Sequence, residues 1–346
     1  MLSVEARKLV AAAYSQLQLS SLTTRYPRRS LVALNYHYFT SGRSTSYLEV
    51  TRDTAQKQLC ILSRNSIIRP AKLALDSLFR GADTVDRPEV FVSIDDGCSS
   101  FEIILPLIEK LSIPVTLFIP IGLCLDSDNL DGLRSRCLRL YKEIDQSQCL
   151  PNIPNDAEEV FQMILAADAS QLRALEKRFQ KQPRNPDPIS LRKLYSVSEL
   201  RALTEHPLIT LAPHSMSHQA LGHLPSSWLE WEIAASCAHI AAIGGDSELF
   251  AYPYGDARSV DDRCARALSN SGSRFAFTTL CYRISDTCNK FLLGRAPLFN
   301  CESESYLCGT VFGGLEWYDI IRHGRKLYET YTHSREQSWI EQPQCK

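Results

Sequence analysis

The sequence predicts an α/β fold in which short, continuously apolar strands alternate with helices. Two observations lead there. Runs such as VFVSIDDG at 90–97 and PVTLFIP at 114–120 are apolar without a two-residue period, as parallel strands buried on both faces require. Between them, Phe101, Ile104, Leu105, Ile108 and Leu111 recur at helical spacing. The same unit returns later in the chain, and repeated βα units with right-handed crossovers favour a parallel barrel or an open doubly wound sheet.

Taken in order, LVALNYH at 31–37 is the first strand, 90–97 a strand stopped by two carboxylates and a glycine, 99–111 a helix and 114–120 the next strand. From 125 to 194 the alternation lapses. This stretch is richer in charge, has helical patterning at 133–144, 157–167 and 170–180, and ends in the breaker-rich PRNPDP at 183–188. It reads as a helical insertion over the mouth of the fold. The pattern resumes with a short helix at 198–205 and the strand LITLAPH at 208–214. A helix to about 242 follows, opened by a Ser227–Glu230 capping box and closed by Gly244 and Gly245. Strands at 248–255 and 274–280 flank a helix at 259–270. The division expected is an N-terminal helical extension at 1–30, core segments at 31–124 and 195–300, the insertion at 125–194, and a C-terminal helical tail at 301–346.

Bulk composition narrows the function classes. With 38 basic and 39 acidic residues there is no basic face with which to neutralise phosphates, so no nucleic-acid partner is expected. No run approaches the roughly 18 apolar residues of a transmembrane segment. Glu5 stands where a secretory signal carries only positive charge, and a cytoplasmic location is expected. The 12 cysteines are scattered, without a CxxC pair, and read as reduced, mostly buried small hydrophobes.

Three short motifs carry chemistry. Asp95 and Asp96 close a strand, where the chain can turn and bring both carboxylates to one pocket. Two such neighbours repel unless a cation or shared proton holds them. By itself a DDG is more often an ordinary turn or helix start. HSMSH spaces His214 and His218 four apart, which on a helical turn places both imidazoles on one face. One carboxylate and two imidazoles make a three-ligand site with open positions, suited to zinc or another divalent first-row metal. In FAYPYG, the turn at Pro253, Tyr254 and Gly255 can aim a backbone N–H at an oxyanion.

Together and in this order, SIDDG at 93–97, HSMSH at 214–218 and AYPYG at 251–255 resemble the motifs of the polysaccharide deacetylase family, carbohydrate esterase family four. The resemblance spans roughly 31–298. It is nearest to the branch acting on exopolysaccharides such as poly-N-acetylglucosamine, whose early Tyr-His and late arginine are matched by Tyr36–His37 and Arg295. It implies a distorted (β/α) barrel of about seven strands carrying the helical insertion. It further implies that Asp95 is the general base, that Asp96, His214 and His218 hold a divalent metal, Zn2+ first, and that His37 is the general acid. The Tyr254 N–H would join the metal at the oxyanion, and Arg295 would pair with Asp95.

The implied substrate is an N-acetylated carbohydrate, met before export, in association with polysaccharide synthesis machinery. An O-acetyl esterase would use the same site, and a non-catalytic sugar-binding scaffold is the third reading, opposed by the intact set of four ligand and base residues. Departures from the family pattern are Ile94 in place of an aromatic, no arginine in the third motif, and no DxxDW or late LxH motif. His37 and Arg295 would fill those roles. His206, His223 and His239 read as structural, and the tail aromatics Trp317, Tyr318, Tyr328, Tyr331 and Trp339 as a stripe packed on the barrel.

Overall fold

In chain order the fold begins with β1 (Leu31–Tyr36), β2 (Tyr38–Thr40), β3 (Glu49–Thr51), α1 (Arg52–Asn65), β4 (Ile67–Ile68), α2 (Ala71–Phe79) and β5 (Glu89–Ile94). Next come α3 (Leu105–Leu111), β6 (Val115–Ile119), α4 (Ile121–Cys124), α5 (Leu130–Glu143), α6 (Ala157–Ala166), α7 (Ala169–Gln180), α8 (Val197–Thr204) and β7 (Ile209–Pro213). The chain continues through α9 (Ser226–Ala242), β8 (Leu249–Ala251), α10 (Asp262–Asn270), β9 (Phe275–Phe277), β10 (Ala296–Pro297) and α11 (Glu304–Val311). The computed structural model describes residues 30–81, 87–144, 150–301 and 303–311. Residues 1–29 of the N-terminal extension expected at 1–30, and the tail aromatics, lie outside them.

The central sheet is parallel, in the order β10-β1-β5-β6-β7 with β4 also paired to β5. Strands β1 and β5 are buried at all six positions each, which is why they read as continuous apolar runs. Strands β8 and β9 form a separate parallel pair. Beside this pair, the N–H of Asp246, just before β8, donates to the Leu211 carbonyl of β7 (2.8 Å), and Phe277 of β9 makes an isolated parallel bridge with Leu293, ahead of β10. Strands β2 and β3 form a third parallel pair, so ladder pairing among the described residues yields an α/β fold with three parallel sheets and no continuous ring. One apolar cluster nevertheless draws Ala33, Phe91, Phe118, Ala212, Ala251 and Phe277 from six different strands.

Helices α5, α6 and α7 pack with α9 and α10 around a second cluster, in which Phe161 stacks on Trp228 at 5.5 Å between ring centroids. Their sequence signals are local and strong. Asp156 and Asp168 cap α6 and α7 with side-chain bonds to the first-turn N–H groups. Two expectations differ in detail. The stretch 99–111 is a 3-10 turn, Ser99–Ile103, followed by α3, because Pro106 in the first turn has no N–H with which to continue the preceding turn. The Ser227–Glu230 capping box does not form. Helix α9 starts two residues earlier, with Pro225 and not Ser227 at the N-cap, and the Ser227 hydroxyl instead bonds Glu158 of α6.

All ten cysteines among the described residues are unpaired, and seven are buried. Burial pushes the thiols of Cys124 and Cys137 up to about 12, as suits inert core positions. No helix among the described residues is long and apolar enough to cross a membrane.

Candidate functional site

The C-terminal ends of four parallel strands point the same way and deliver the residues singled out above: β1 gives His37, β5 gives Asp95 and Asp96, β7 gives His214, and β8 leads into Tyr254. Asp96 and Gly97 both lie in the left-handed region, with φ of 75° and 60°. That double turn sends two adjacent carboxylates into one buried pocket. Any Cβ at residue 97 would also sit 3.2 Å from Ile119. Of the six non-glycine residues with positive φ among the described residues, four are in this site: Asp96, Ser215, His218 and Tyr254. Such conformations cost about 1–3 kcal/mol each and persist only where the surroundings hold them.

His214 and His218 converge, but not on a helix. Residues 214–220 are irregular, with Ser215 and His218 at φ of 65° and 55°. Glu232 of α9 supplies the order that helical hydrogen bonds would otherwise give. Its fully buried carboxylate accepts from the Met216 and Ser217 N–H groups, both at 2.8 Å, from the Ser217 hydroxyl, and from the Trp228 indole N–H. On the other side, Gly122 of α4 lets the loop approach closely, since a Cβ there would stand 2.7 Å from the Met216 carbonyl.

Asp96, His214 and His218 are all buried, and one ligating atom from each lies within 4.8 Å of the other two. Asp96 Oδ1 is 3.5 Å from His214 Nε2 and 3.1 Å from His218 Nε2. The Tyr38 hydroxyl donates to Asp96 Oδ2, leaving Oδ1 to face the imidazoles. His214 commits Nδ1 to the Ala251 carbonyl at 2.7 Å, which orients Nε2 into the cluster. Two imidazole nitrogens and one carboxylate oxygen, oriented from behind, suit a divalent first-row cation. Burial pushes the Asp96 carboxyl up, yet His218 and His214 hold it well below the ordinary carboxylate value, so it stays an anion.

Asp95 faces a different set of partners. Arg295, fully buried, donates to its two oxygens at 2.7 and 2.9 Å, and the Asn35 amide donates to Oδ2 at 3.0 Å. Burial alone raises the Asp95 carboxyl, but Arg295, with His214 and His37, brings it below the ordinary value. His37 Nε2 is 4.0 Å from Asp95 Oδ2, and its side chain is 17% exposed, open to the pocket. Burial, aided by Arg295 and His214, lowers the His37 pKa against the opposing pull of Asp96 and Asp95. The Tyr254 ring lies 5.1 Å from that of His218, is 45% exposed, and its N–H has no protein acceptor among the described residues.

Thus all seven residues expected from the sequence lie in one region. Sequence reading missed Asn35, Tyr38 and Glu232, which orient the others. Asn35 and Tyr38 flank the Tyr36–His37 pair and were the nearer to detection. Glu232 carries no local signal beyond a carboxylate four residues after Trp228 on an otherwise apolar helix face. His206 pairs with Glu109 and His239 with Asp131, and neither joins the cluster.

The fold that carries this site is the one found in the polysaccharide deacetylases. The Streptococcus pyogenes deacetylase PplD, solved in complex with acetate, matches with a TM-score of 0.57 at 14% identity, over 82% of this chain and 99% of that one. A polysaccharide deacetylase from Bacillus cereus matches with a TM-score of 0.54 at 14% identity, over 82% and 69% of the two chains. IcaB from Ammonifex degensii gives 0.52 at 15% identity, over 82% and 97%. No protein-family model matches the sequence, and no curated protein matches it.

Proposed function

We propose that this chain is a metal-dependent hydrolase that removes N-acetyl groups from a polysaccharide or its oligosaccharide precursor. The observation that carries the reading is the meeting, in one buried pocket at the strand ends, of a metal-type cluster and a separately clamped carboxylate. The deacetylase fold supports it, as does the acetate that PplD was solved with. In this reading β1, β5, β6, β7, β8, β9 and β10 make a distorted (β/α) barrel, which the shared apolar cluster across six of those strands supports. Residues 31–124 and 195–300 are its two parts and 125–194 is the insertion.

Asp96, His214 and His218 would hold the ion, with Zn2+ favoured by the N,N,O donor set. When bound, such an ion polarises an acetyl carbonyl and lowers the pKa of water. Asp95 is the general base: Arg295 and Asn35 fix its orientation and keep it ionised, so it is ready to accept the proton of the attacking water. His37 is the general acid. Because burial lowers its pKa, the proton it gives the departing amine would be the one Asp95 has just removed, relayed through one water or after a small ring movement that closes the 4.0 Å between them. Arg295 is a positioning residue for Asp95. The free Tyr254 N–H, projected by its left-handed turn, is the donor for the oxyanion.

The test is release of acetate and free amine from N-acetylated oligosaccharides by the zinc-loaded full chain. Equal amounts of both, lost in Asp95→Asn, support the proposal. Acetate from O-acetylated glycans, with no amine from N-acetylated ones, replaces it with an esterase.

A further inference from the structure

His214 and His218 differ in one respect that bears on metal binding. His214 has a backbone acceptor for its Nδ1, whereas Nδ1 of His218 is buried and has no hydrogen-bond partner. His218 as a whole is only 6% exposed. If its Nε2 is to offer a lone pair beside Asp96 Oδ1, the ring proton must sit on Nδ1, and a buried N–H without an acceptor is costly. The carboxylate oxygen facing that nitrogen is Asp187 Oδ1, 3.8 Å away.

Asp187 comes from the breaker-rich end of the segment 125–194, where it caps the 3-10 turn Pro188–Leu191 by accepting the Ile189 N–H at 3.0 Å. Its side chain is 10% exposed, and the residue is held from three directions, two through the side chain and one through the backbone. Arg139 of α5 donates to Oδ2 at 2.8 Å, the Tyr254 hydroxyl donates to the same oxygen, and the Asp187 N–H reaches Glu143 of α5 at 3.3 Å. Arg139 also donates to the His218 carbonyl at 2.6 Å and pairs with Glu143, which in turn holds Arg184 and the Ser190 hydroxyl. Buried ionic networks of this kind are expensive relative to apolar packing. This one terminates on the backbone of one expected ligand, beside its imidazole, and on the tyrosine that covers it.

We propose that Asp187, backed by Arg139, is a positioning residue for His218: its carboxylate accepts the Nδ1 proton and thereby presents Nε2 to the metal. The inference rests on the reading of Asp96, His214 and His218 as ligands. A rotation of the ring that shortens 3.8 Å by about 1 Å makes a charge-assisted hydrogen bond. On this account residues 125–194 are part of the metal centre and do more than cover it.

The experiment is titration of Zn2+ into the metal-stripped full chain against a chromophoric chelator, for wild type, Asp187→Asn, Asp187→Ala and His214→Ala. Melting of each stripped protein is followed in parallel. Asp187→Ala is expected to weaken zinc about 10–100-fold. Asp187→Asn falls between, since its amide oxygen still accepts from Nδ1 but without the charge. In the zinc-loaded wild type a downfield imidazole N–H resonance assigned to His218 is expected, and Asp187→Ala loses it. A purely architectural Asp187 would instead lower the melting point of the stripped protein and leave zinc affinity unchanged, which overturns the proposal while the ligand reading stands. If Asp187→Ala does not fold, unchanged affinity in Asp187→Asn overturns it equally, and weakened affinity supports it. If wild type binds no zinc, or His214→Ala binds as tightly as wild type, the ligand reading itself fails and the proposal falls with it.

Discussion

Replacing Arg295 with methionine separates the structural from the catalytic consequences of clamping Asp95. The guanidinium is 0% exposed and donates to both Asp95 oxygens, to Asn35 and Ser93, and to the Thr278 carbonyl. Methionine retains an apolar stem but leaves a carboxylate that is 2% exposed without its counter-charge. Removing one partner of a buried pair costs about 3–5 kcal/mol, a large share of the roughly 5–15 kcal/mol that holds a domain together. The effect has a sign with pH. In the wild type the folded-state pKa of Asp95 is depressed, so its stabilising contribution is present above the unfolded value of about 3.9 and is lost as pH falls through the folded value. Without Arg295, uncompensated burial raises the folded-state pKa above the unfolded one, and the variant gains stability as pH falls through that raised value. The gap between the two proteins is therefore widest near neutral pH and narrows toward about pH 4. Urea unfolding of the metal-free proteins at both pH values measures it. A loss below about 1 kcal/mol at neutral pH, or a loss that does not vary with pH, refutes the clamp.

Three further outcomes follow from the site. Asp95→Asn is expected to lower turnover by about 10²–10⁴-fold while zinc affinity, measured by chelator competition, stays within a few-fold of wild type. Glu232→Ala strands the Met216, Ser217 and Trp228 N–H groups at about 1–3 kcal/mol apiece. It should lower the urea midpoint and also weaken metal binding; a wild-type midpoint would remove Glu232 from the account. Stripping the metal should lower the melting temperature, and restoring it at about 100 times its dissociation constant should return about 2.7 kcal/mol of stability. An unchanged melting curve contradicts a metal bound by the native state.

How much of this was legible depends on the range over which each signal acts. The strands at 31–36, 89–94, 115–119 and 209–213 stand out because burial on both faces writes an unbroken apolar run into the chain. The helices of the 125–194 segment were readable to within three residues at either end, because periodicity and Asp caps are local. Strands β2, β3, β4 and β10 are two or three residues long, too short to show a period, and exist only because a neighbouring strand is there to pair with. The convergence of Asp96, His214 and His218 was foreseen, but its mechanism was not. A four-residue spacing suggests a helical turn, whereas the loop is held by Glu232, whose bond to Met216 is invisible until α9 is folded beside β7. Arg139 and Asp187 were hidden for the same reason, since nothing near 139 or 187 in the chain announces that these side chains meet at residue 218.

The most direct test of the account is the stoichiometry of Co2+ binding, followed by its visible absorption, in the stripped wild type and in Asp96→Ala, His214→Ala and His218→Ala. One ion per chain in the wild type, and loss of the absorbing complex in each variant, is the expected result. Binding that persists unchanged in all three variants, or no binding by the wild type, contradicts a metal centre at these residues.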